Sequence, residues 1–452
     1  MMMSYPKDRR ALRCARSRVW RFYNLSFPVV FAFLLPRFAV RMVRRGGYWR
    51  HFWERITLYD RSTRRNLNRV TGFRVWIHAV SVGEIFVALR FIEEIRRRKP
   101  DSAFVVTTTT STGRAVAEKQ LGGGDLVLYF PVDRPWLMKR LLRLVRPSLV
   151  LLVECEMWPN LLRYCTFSGT PVVLVNGRIS DHSYRNYCKL RFMTRRLLPM
   201  VDLLCVQGQT DRERLLRLGA PSERTVVVGS AKYEVPAGGE AVFKVVERVL
   251  GGVGFRGRTL LVGGSTWPGE EEALVMAYKQ LRPEHPELRL ILVPRHVERT
   301  GEIRAMLESH GVRYILRSSV GSQSGPDDYD VLLADTTGEL RGFYRWADIV
   351  FVGKSLTQRG GQNFIEPAQL GRPVITGPNP QNFPVVARDF RDAQALLVIS
   401  DGQELFETIR RLLQDPALRQ EYGRKALEVA CRKQGAVRRT LEQIRSRLSL
   451  EL

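Results

Sequence analysis

Three carboxylates in the first half of the chain stand shortly after apolar runs. Glu84 follows the run from Val75 to Val80, while Glu154 and Glu156 follow the run 148–153. Short, nearly continuous apolar runs are typical of parallel strands that are covered on both faces. Open sheets of such strands bind ligands at their carboxyl ends, where we expect these acids to lie. A carboxylate at that edge is suited to accept a proton from a reacting group.

Each acid also has a structural interpretation. Glu84 follows the turn at Gly83 and stands in the first turn of a predicted helix, where a glutamate complements the helix dipole. The segment alone leaves both roles open for Glu84, a helix cap or a catalytic base. Glu156 is likewise placed to cap the helix after it. If Glu154 and Glu156 point into one cleft, we expect at least one of them to have a shifted pKa or a cationic partner.

Cationic side chains follow two further predicted strands of the same half. Arg178 comes after strand 171–176, and Lys232 comes after strand 225–229. Cations at this edge suit a carboxylate or phosphate group of a substrate. The alternative for Lys232 is an ordinary solvated lysine.

A glycine turn opens the second half of the chain. Strand 258–263 leads into Gly263-Gly-Ser-Thr-Trp-Pro-Gly-Glu270, in which Ser265 and Thr266 are candidate helix caps. Backbone amides in such a turn can bind phosphate. The sequence has neither the Lys-Ser/Thr pair of a P-loop nor a G-x-G-x-x-G segment, so these two nucleotide motifs are absent.

Three more polar segments follow predicted strands in this half, namely Pro294-Arg-His296, Asp335-Thr-Thr-Gly-Glu339 and Gly353-Lys-Ser-Leu-Thr-Gln-Arg-Gly-Gly-Gln-Asn-Phe-Ile-Glu366. Arg295 is suited to a phosphate. Asn363 and Glu366 are three residues apart, which makes them neighbours on one helix face. An acid in that position is suited to accept hydrogen bonds from ribose hydroxyls.

The net charge of +27 is concentrated near the N-terminus, where residues 1–74 hold 18 Lys and Arg against three acids. Nucleic acid and an anionic membrane surface both suit such a segment. The aromatic-rich stretch 19–43 has arginines on both sides, which favours a helix lying in the cytoplasmic leaflet. Its core, Phe22 to Pro36, is shorter than the roughly 20 residues that span a bilayer. A buried core helix and a single true span remain the alternatives.

The histidines and cysteines favour no metal site. None of the six histidines has metal-ligand spacing, and the six scattered cysteines form no C-x-x-C pair. Cysteines within apolar runs are typical of buried thiols in a reducing compartment.

Strand and helix patterns alternate from residue 73 onward, as in βαβ units with a parallel sheet. We predict an α/β fold with two Rossmann-like, doubly wound domains that face a cleft, the GT-B architecture of glycosyltransferases. The pattern equally fits other two-domain α/β enzymes. The predicted parts are a basic, aromatic membrane-anchoring segment (1–50), a first domain (51–235), a linker (236–257) and a second domain with terminal helices (258–452).

Seven strands are predicted in each domain. They cover 73–80, 103–109, 126–130, 148–153, 171–176, 202–206 and 225–229 in the first domain, and 258–263, 288–293, 312–316, 329–333, 348–352, 373–376 and 395–399 in the second.

Six segments, in this order, resemble the lipid A Kdo transferases, which move 3-deoxy-D-manno-octulosonic acid (Kdo) from CMP-Kdo onto a lipid A precursor. They are Ile77-His-Ala-Val-Ser-Val-Gly-Glu84, Glu154-Cys-Glu-Met-Trp-Pro-Asn160, Val175-Asn-Gly-Arg-Ile-Ser180, Pro294-Arg-His296, Asp335-Thr-Thr-Gly-Glu339 and Arg359-Gly-Gly-Gln-Asn-Phe-Ile-Glu366. The match runs from about residue 40 to the C-terminus, and the ordered set is highly specific.

The resemblance implies an inverting, metal-independent GT-B transferase of lipopolysaccharide core biosynthesis, held on the cytoplasmic face of the inner membrane. It implies no cofactor. The implied partners are CMP-Kdo, a lipid A precursor (lipid IVA) and the anionic membrane surface, with no nucleic acid. Members of the family differ in how many Kdo units they add. The nearest alternative is another GT-B enzyme, a transferase or epimerase that uses a UDP-sugar.

The resemblance also implies a role for individual residues. Glu84 matches the general base, and Glu154 and Lys232 match residues that stabilise the transition state. The first domain then binds the acceptor and the second binds CMP-Kdo. The matched donor-binding residues are Pro294, Arg295, Thr337, Gly338, Glu339, Asn363, Phe364, Ile365 and Glu366, and the candidate substrate contacts are Ser81, Gly83, Arg178, Ser265 and Thr266.

The chain departs from the family pattern at four places. Gln362 stands where a histidine is common, and Phe364 and Ile365 replace a Pro-Leu pair. Lys354 falls in a glycine-rich strand end, and residues 1–18 form an extra basic extension. We expect the changes at 362–365 to affect how the nucleotide is held, with Asn363 and Glu366 still in register.

Overall fold

The computed structural model describes residues 7–28, 49–69, 72–122, 124–234, 239–321 and 329–452. The chain divides into two compact units. Unit 1 comprises Met1–Glu234 with Gln434–Leu452, and unit 2 comprises Val235–Lys433.

A seven-stranded, all-parallel sheet forms the centre of unit 1. Its spatial order is β3-β2-β1-β4-β5-β6-β7, so the strand order reverses between β1 and β4. The strands are β1 (Arg74–His78), β2 (Ala103–Thr108), β3 (Leu126–Tyr129), β4 (Leu149–Val153), β5 (Val172–Gly177), β6 (Leu203–Val206) and β7 (Thr225–Val227).

Helices cover both faces of this sheet, and alternate strand residues enter different cores. Trp76 and Val150 belong to one apolar cluster, whereas Val75, Ile77 and Leu149 belong to the other. The helices are α1 (Arg9–Ala15), α2 (described over 19–28), α3 (Arg61–Arg69), α4 (Val82–Arg98), α5 (Ser111–Gln120), α6 (Pro135–Val145), α7 (Pro159–Ser168), α8 (Asp181–Lys189), α9 (Arg191–Leu197) and α10 (Gln209–Leu218).

Unit 2 also contains a parallel seven-stranded sheet, with the order β10-β11-β9-β8-β12-β13-β14. The order reverses between β8 and β12. The strands are β8 (Thr259–Thr266), β9 (Leu288–Pro294), β10 (Tyr314–Leu316), β11 (Val331–Leu333), β12 (Ile349–Val352), β13 (Val374–Thr376) and β14 (Leu397–Val398). The helices are α11 (Glu240–Gly252), α12 (Glu270–Leu281), α13 (Thr300–Ser309), α14 (Leu340–Trp346), α15 (Ile365–Gln369), α16 (Pro384–Asp392), α17 (Gly402–Gln414) and α18 (Pro416–Lys433).

All fourteen predicted strands are present, and both doubly wound sheets are confirmed. The apolar runs identified them because a parallel strand between two helix layers is buried on both faces. β1, β4, β6 and β12 are buried at every residue. The cleft between the two domains stays a prediction.

Two predicted domain boundaries were wrong. The last helix, α19 (Ala436–Leu448), belongs to unit 1, because its apolar side chains Val437, Leu441 and Ile444 are buried in a core of that unit. Most of the predicted linker 236–257 belongs to unit 2, since α11 buries Val246 and Leu250 there. Gly238 and the three residues before it lie outside the described residues.

The predicted membrane-anchoring segment (1–50) is in part a piece of unit 1. Trp20 of α2 is 1% exposed, and its indole N–H donates to the Cys14 carbonyl oxygen at 2.8 Å. The Tyr23 hydroxyl donates to buried Asp133 at 2.9 Å. Residues 29–48, which include most of the predicted aromatic wedge, lie outside the described residues. Among the helices described, none combines the length and apolar character needed to cross a bilayer.

We expect Trp20→Ala to lower the free energy of unfolding by about 3–5 kcal/mol, because it empties a buried aromatic site. Phe22→Ala is the matched control, since Phe22 lies on the same helix but is 63% exposed. The control is expected to change stability by no more than about 0.5 kcal/mol. Urea unfolding followed by circular dichroism measures both. Equal effects of the two substitutions would contradict the docking of α2 on unit 1.

Candidate active site

The carboxyl end of β1 carries a buried, neutral histidine. Nδ1 of His78 lies 3.1 Å from the carbonyl oxygen of Thr107, which can only accept a hydrogen bond. We therefore place the ring hydrogen on Nδ1, and Nε2 accepts the indole N–H of Trp158 at 3.1 Å. Burial lowers the pKa of His78 to about 3, so the ring is uncharged at neutral pH. His78 thus orients Trp158 beside the acidic segment 154–156.

Glu84 begins α4 as part of a capping box. Ser81 is the N-cap and its hydroxyl oxygen accepts from the Glu84 amide at 3.3 Å. In return, the Glu84 carboxylate accepts from the Val80 amide at 2.8 Å and from the Ser81 hydroxyl at 2.8 Å. This reciprocal pattern satisfies amides that a helix start leaves free. The structural role proposed for Glu84 is therefore present, and it locks the orientation of the carboxylate.

The surroundings of Glu84 also make it a stronger base. Only 9% of the residue is exposed. Burial raises the pKa of Glu84, and the negative charge of Glu154 adds to the rise, while the hydrogen bonds from Val80 and Ser81 oppose it. A carboxylate with a raised pKa binds a proton more tightly, which favours proton abstraction. The capping geometry and the basic character therefore coexist in one side chain.

Glu154 and Lys232 form an ion pair at the next strand end. The Lys232 ammonium lies 3.5 Å from a carboxylate oxygen of Glu154, with both side chains about one-fifth exposed. Glu154 adopts φ 60°, a left-handed conformation that is uncommon for a residue other than glycine. Its amide is held by the Val175 carbonyl at 3.0 Å. The predicted cationic partner for this pair of acids is confirmed.

Asn176 positions the segment that carries Lys232. It also adopts a left-handed conformation, with φ 53°, and its side-chain oxygen accepts from the Ala231 amide at 3.0 Å. The Ser230 side chain in turn caps the short turn Ala231–Tyr233. The ends of β4, β5 and β7 are thereby tied together at one edge of the sheet.

Glu156 has a pKa that is raised to near neutrality. The pKa of Glu156 is raised to about 7, chiefly by burial and then by the negative charge of Glu84; a hydrogen bond from Trp158 opposes the rise, and the charge of Glu154 adds a smaller increase. Its carboxylate lies 4.0 Å from the ring of neutral His78. The expected shifted pKa therefore falls on Glu156, for which helix capping was the sequence interpretation. In the sequence, the Glu-x-Glu spacing of Glu154 and Glu156 was the only indication of this raised pKa. Only the fold brings Glu84 close to Glu156.

The remaining candidate contacts of unit 1 lie at the same edge. The Arg178 backbone hydrogen-bonds to the Cys155 thiol, which places the half-buried Arg178 beside the acidic segment. Ser81 and Gly83 are exposed. The prediction that Gly83 relieves a turn was wrong, because Gly83 lies within the first turn of α4 and an added Cβ would meet no atom closer than 4.0 Å. The absent side chain instead leaves the helix N-terminus open to solvent.

A buried carboxylate organises the corresponding edge of unit 2. Glu270, the first residue of α12, is fully buried and accepts four backbone N–H groups. The donors are Trp267 and Lys354 on one oxygen, at 2.9 and 2.8 Å, and Ser355 and Leu356 on the other, at 2.9 and 3.0 Å. The end of β8 is thereby joined to the loop after β12.

Gly353 allows the two strand ends to come this close. A Cβ at this position would lie 2.4 Å from the Ser265 carbonyl oxygen and 2.7 Å from the Glu270 carboxylate. Its amide donates to the Gly264 carbonyl at 2.9 Å. A side chain at residue 353 would push the glycine turn away from the loop 353–362. This close approach explains why residue 353 is a glycine.

Among the predicted donor-binding residues, three lie exposed at the strand ends of unit 2: Arg295, Thr337 and Gly338. Glu339 is held by Arg317 at 2.7 Å. Asn363 donates to the Glu366 carboxylate at 2.9 Å, which confirms that these two side chains are neighbours. Phe364 and Ile365 are buried in the core, so their side chains do not reach a ligand and only their backbones are available.

Pro294 is also buried, and the glycine turn before α12 is only partly accessible. Ser265 is half-buried with φ 52°. Thr266 is fully buried, and its hydroxyl has no hydrogen-bond partner among the residues that the structure describes. The candidate caps of α12 do not cap it, because Gly269 precedes the helix and Glu270 forms the hydrogen bonds at its start.

The described residues include no group of three His, Cys, Asp or Glu side chains that could hold a metal ion. The metal independence implied by the resemblance stays a prediction.

Two parallel α/β units with polar strand ends fit the two-domain GT-B fold. A solved structure of a UDP-GlcNAc 2-epimerase from Neisseria meningitidis shares this fold, with a TM-score of 0.54 at 11% identity over 83% of this chain and all of that one.

Residues 50–235 match the family model of the 3-deoxy-D-manno-octulosonic-acid transferases (kdotransferases). The transferase of Bordetella pertussis is 36% identical over 82% of this chain and 86% of its own length. That of Haemophilus influenzae is 28% identical over 94% and 98%. The chain belongs to the 3-deoxy-D-manno-octulosonic acid transferase family, and it is a glycosyltransferase that adds Kdo in lipopolysaccharide core biosynthesis.

We expect Glu156→Gln to remove a pH-dependent part of the stability. A carboxyl group with a raised pKa in the folded state stabilises that state fully below its unfolded pKa of 4.5, and this contribution is lost as pH rises through about 7. Between these values the wild type should lose roughly 1–3 kcal/mol relative to the variant. Urea unfolding at a series of pH values measures the difference.

Glu213→Gln is the matched control for this experiment, because Glu213 is an exposed glutamate of the same unit. It should shift the stability of unit 1 by a nearly constant, small amount across the same pH range. If Glu156→Gln and the wild type show parallel pH profiles, Glu156 does not hold a proton in the folded protein.

Proposed function

We propose that the enzyme transfers Kdo from CMP-Kdo to a hydroxyl group of a lipid A precursor, without a metal and with inversion at the sugar carbon. Membership of the Kdo transferase family supports the sugar. The observation that carries the mechanism is the buried Glu84 carboxylate, fixed by its capping box beside the Glu154–Lys232 pair. The proposal thus names CMP-Kdo as the donor, a lipid A precursor as the acceptor and Glu84 as the base.

In this mechanism Glu84 accepts the proton of the acceptor hydroxyl. Each Glu84 oxygen accepts one hydrogen bond within the capping box, and a carboxylate oxygen has two lone-pair sites. One site on each oxygen therefore remains for the acceptor. Because the capping box fixes the side chain, little reorganisation is needed when the proton moves.

The proposed reaction needs no general acid to protonate the leaving group. The acceptor oxygen forms a bond to the anomeric carbon of Kdo as the bond from that carbon to the CMP phosphate oxygen breaks. CMP leaves with the electron pair, and the proton stays on Glu84. A phosphate leaving group is stabilised by cations and helix N-termini, so it needs no proton.

Glu154 and Lys232 have complementary roles in this proposal. Positive charge develops on the sugar carbon in an oxocarbenium-like transition state, and the Glu154 carboxylate stabilises it electrostatically. Lys232 holds the Glu154 carboxylate in place through the ion pair at 3.5 Å. Its ammonium also suits the carboxylate that Kdo carries next to the reacting carbon. Arg178, at the end of β5, is a second cation at this edge.

The carboxyl edge of unit 2 is assigned to CMP. Arg295 is exposed and suits the phosphate, while the Asn363–Glu366 pair suits the ribose hydroxyls. The exposed turn at Thr337 and Gly338 supplies backbone groups beside them.

Glu84→Gln should lower the rate of Kdo transfer by about 10²- to 10⁴-fold, since the amide cannot accept the proton. The assay supplies CMP-Kdo and a lipid A precursor, and mass spectrometry detects the product. CMP binding, measured by thermal shift, should match that of the wild type. Near-wild-type turnover would remove Glu84 from the mechanism, and stabilisation by UDP in preference to CMP would contradict the proposed donor.

A control separates catalysis from capping in this experiment. Ser81→Ala removes the other half of the capping box and retains the carboxylate, so it should lower transfer by less than about tenfold. Equal losses in Ser81→Ala and Glu84→Gln would mean that only the helix start matters.

We further propose that the enzyme works at the cytoplasmic face of the inner membrane, through α2 and the basic residues near it in sequence. Phe22 and Leu25 are 63% and 76% exposed, and two arginines are exposed near them, Arg21 on α2 and Arg18 in the turn before it. Apolar and cationic side chains together bind an anionic bilayer surface.

Replacing Phe22 and Leu25 together by serine should weaken binding to vesicles of phosphatidylglycerol and phosphatidylethanolamine at least tenfold, because two apolar insertions are lost. Leu190→Ser with Phe192→Ser is the control, as these residues are exposed to 46% and 45% elsewhere in unit 1. A vesicle sedimentation assay measures retention. Unchanged binding of the α2 variant would place the membrane contact on another surface.

A further inference from the structure

Lys354 has a backbone conformation that favours glycine. Its φ is +56°, in the left-handed region, where a side chain is disfavoured by its own backbone. The loop around it is rich in glycine, and Gly360 and Gly361 both have positive φ values. A strained residue that carries a charge in a glycine loop is a candidate for function.

Both backbone groups of Lys354 are fixed. Its amide donates to buried Glu270 at 2.8 Å, and its carbonyl oxygen accepts from the Gly361 amide at 2.7 Å. Because the backbone is held at two points, the direction of the side chain is also set. The strain is therefore stabilised by the same carboxylate that joins β8 to the loop.

The lysine stem lies in a channel that a glycine leaves open. A Cβ added to Gly360 would lie 3.1 Å from Cε and 3.4 Å from Cδ of Lys354. The ammonium group then stands over the indole ring of Trp267, 4.4 Å from its centroid. A cation over an indole face is attracted to it, which holds the ammonium at one place.

Among the residues that the structure describes, no carboxylate forms an ion pair with this ammonium within 4.0 Å. Glu270, which accepts the Lys354 amide, accepts three further backbone N–H groups. Lys354 is half-buried, so its charge is only partly solvated. A half-buried cation without a carboxylate partner favours an anionic ligand.

Two further groups that can donate hydrogen bonds lie at this place. The Trp267 indole N–H and the Thr266 hydroxyl are buried and have no hydrogen-bond partner among the described residues. The Trp267 ring also contacts His296 edge to face at 5.3 Å, and the exposed Arg295 precedes His296. These residues stand at the ends of β8, β9 and β12, where the strand order of unit 2 reverses. That reversal is where open α/β sheets bind ligands.

We propose that Lys354, held on Trp267, binds an oxyanion of the donor substrate and so acts as a donor-binding residue of this chain. The inference rests on the proposed function, which makes CMP-Kdo the donor. Two groups of that donor carry the required charge, the phosphate of CMP and the carboxylate of Kdo. The phosphate is the assigned group, because Arg295 stands at the same strand ends.

Isothermal titration of the full chain with CMP and with cytidine tests this proposal. Lys354→Met keeps the stem and removes the charge, so the Kd for CMP should rise about 10- to 100-fold while weak cytidine binding stays as in the wild type. Lys354→Arg keeps the charge and should restore part of the CMP affinity. Lys279→Met is the matched control, as Lys279 is an exposed lysine of unit 2, and it should leave the Kd unchanged.

Lys354→Gly separates binding from folding. Glycine adopts the left-handed conformation without strain, so the Tm should equal or exceed that of the wild type while the CMP affinity falls as in Lys354→Met. If every Lys354 variant binds CMP as the wild type does, but the KM for CMP-Kdo rises at least tenfold, the oxyanion is the Kdo carboxylate and the phosphate assignment is wrong. An unchanged Kd for CMP together with an unchanged KM overturns the proposal.

The same measurements distinguish this inference from the proposed function. If the wild type binds CMP through Lys354 but transfers no Kdo, the proposed reaction fails and the binding role stands. If transfer proceeds and Lys354→Met behaves as the wild type throughout, the reaction stands and the binding role fails.

Discussion

Parallel strands that are covered by helices on both faces leave polar chemistry only at their ends, and both units of this protein are built under that constraint. β1 and β4 in unit 1, and β12 in unit 2, are buried at every residue. A charged group within such a strand lacks water, so it costs much free energy unless it finds a buried partner, as Arg74 at the amino end of β1 does in the Leu67 carbonyl at 2.8 Å. The acids and cations of the site accordingly follow the last residues of the strands, at the points where the strand order reverses.

In unit 1, three acids lie at the carboxyl edge of the sheet. The ion pair with Lys232 and the raised pKa of Glu156 reduce the negative charge there. Lys232 pairs with Glu154, and the high pKa of Glu156 keeps a proton there near neutrality. Glu84 is the third acid, and burial raises its pKa as well. Three ionised carboxylates at one buried edge would repel one another, so protonating Glu156 lowers that repulsion. The arrangement leaves Glu84 anchored by its capping box and free to accept a proton.

In unit 2 the corresponding edge depends on one buried carboxylate. The Glu270 carboxylate accepts hydrogen bonds from four backbone N–H groups and so fixes the loop after β12. Removing that acceptor would leave buried donors unsatisfied, which costs about 1–3 kcal/mol for each group. The loop so held presents Lys354 over Trp267. In the proposed mechanism the acids of unit 1 take part in the reaction, whereas Glu270 of unit 2 positions the loop that carries Lys354.

The strands, the two parallel sheets and the family were determined by the sequence alone. Buried parallel strands are encoded locally, as short apolar runs between amphipathic helices, and ordered motifs such as 154–160 carry the family relation. Tertiary structure decided which residues share an edge, because that depends on strand order rather than on neighbours in the chain. It buried Glu156 and placed Glu84 near it, and both effects raise the pKa of Glu156. Nothing in the local sequence distinguishes Glu156 from a helix cap.

Tertiary contacts also decided where each segment belongs. α19 lies next to unit 2 in sequence but buries its apolar face in unit 1, and Trp20 is a core residue although its arginine-rich surroundings suggested a membrane anchor. Phe364 and Ile365, which the motif assigned to the donor site, turn into the core. In each case local composition was compatible with two environments, and long-range burial of apolar surface selected one of them.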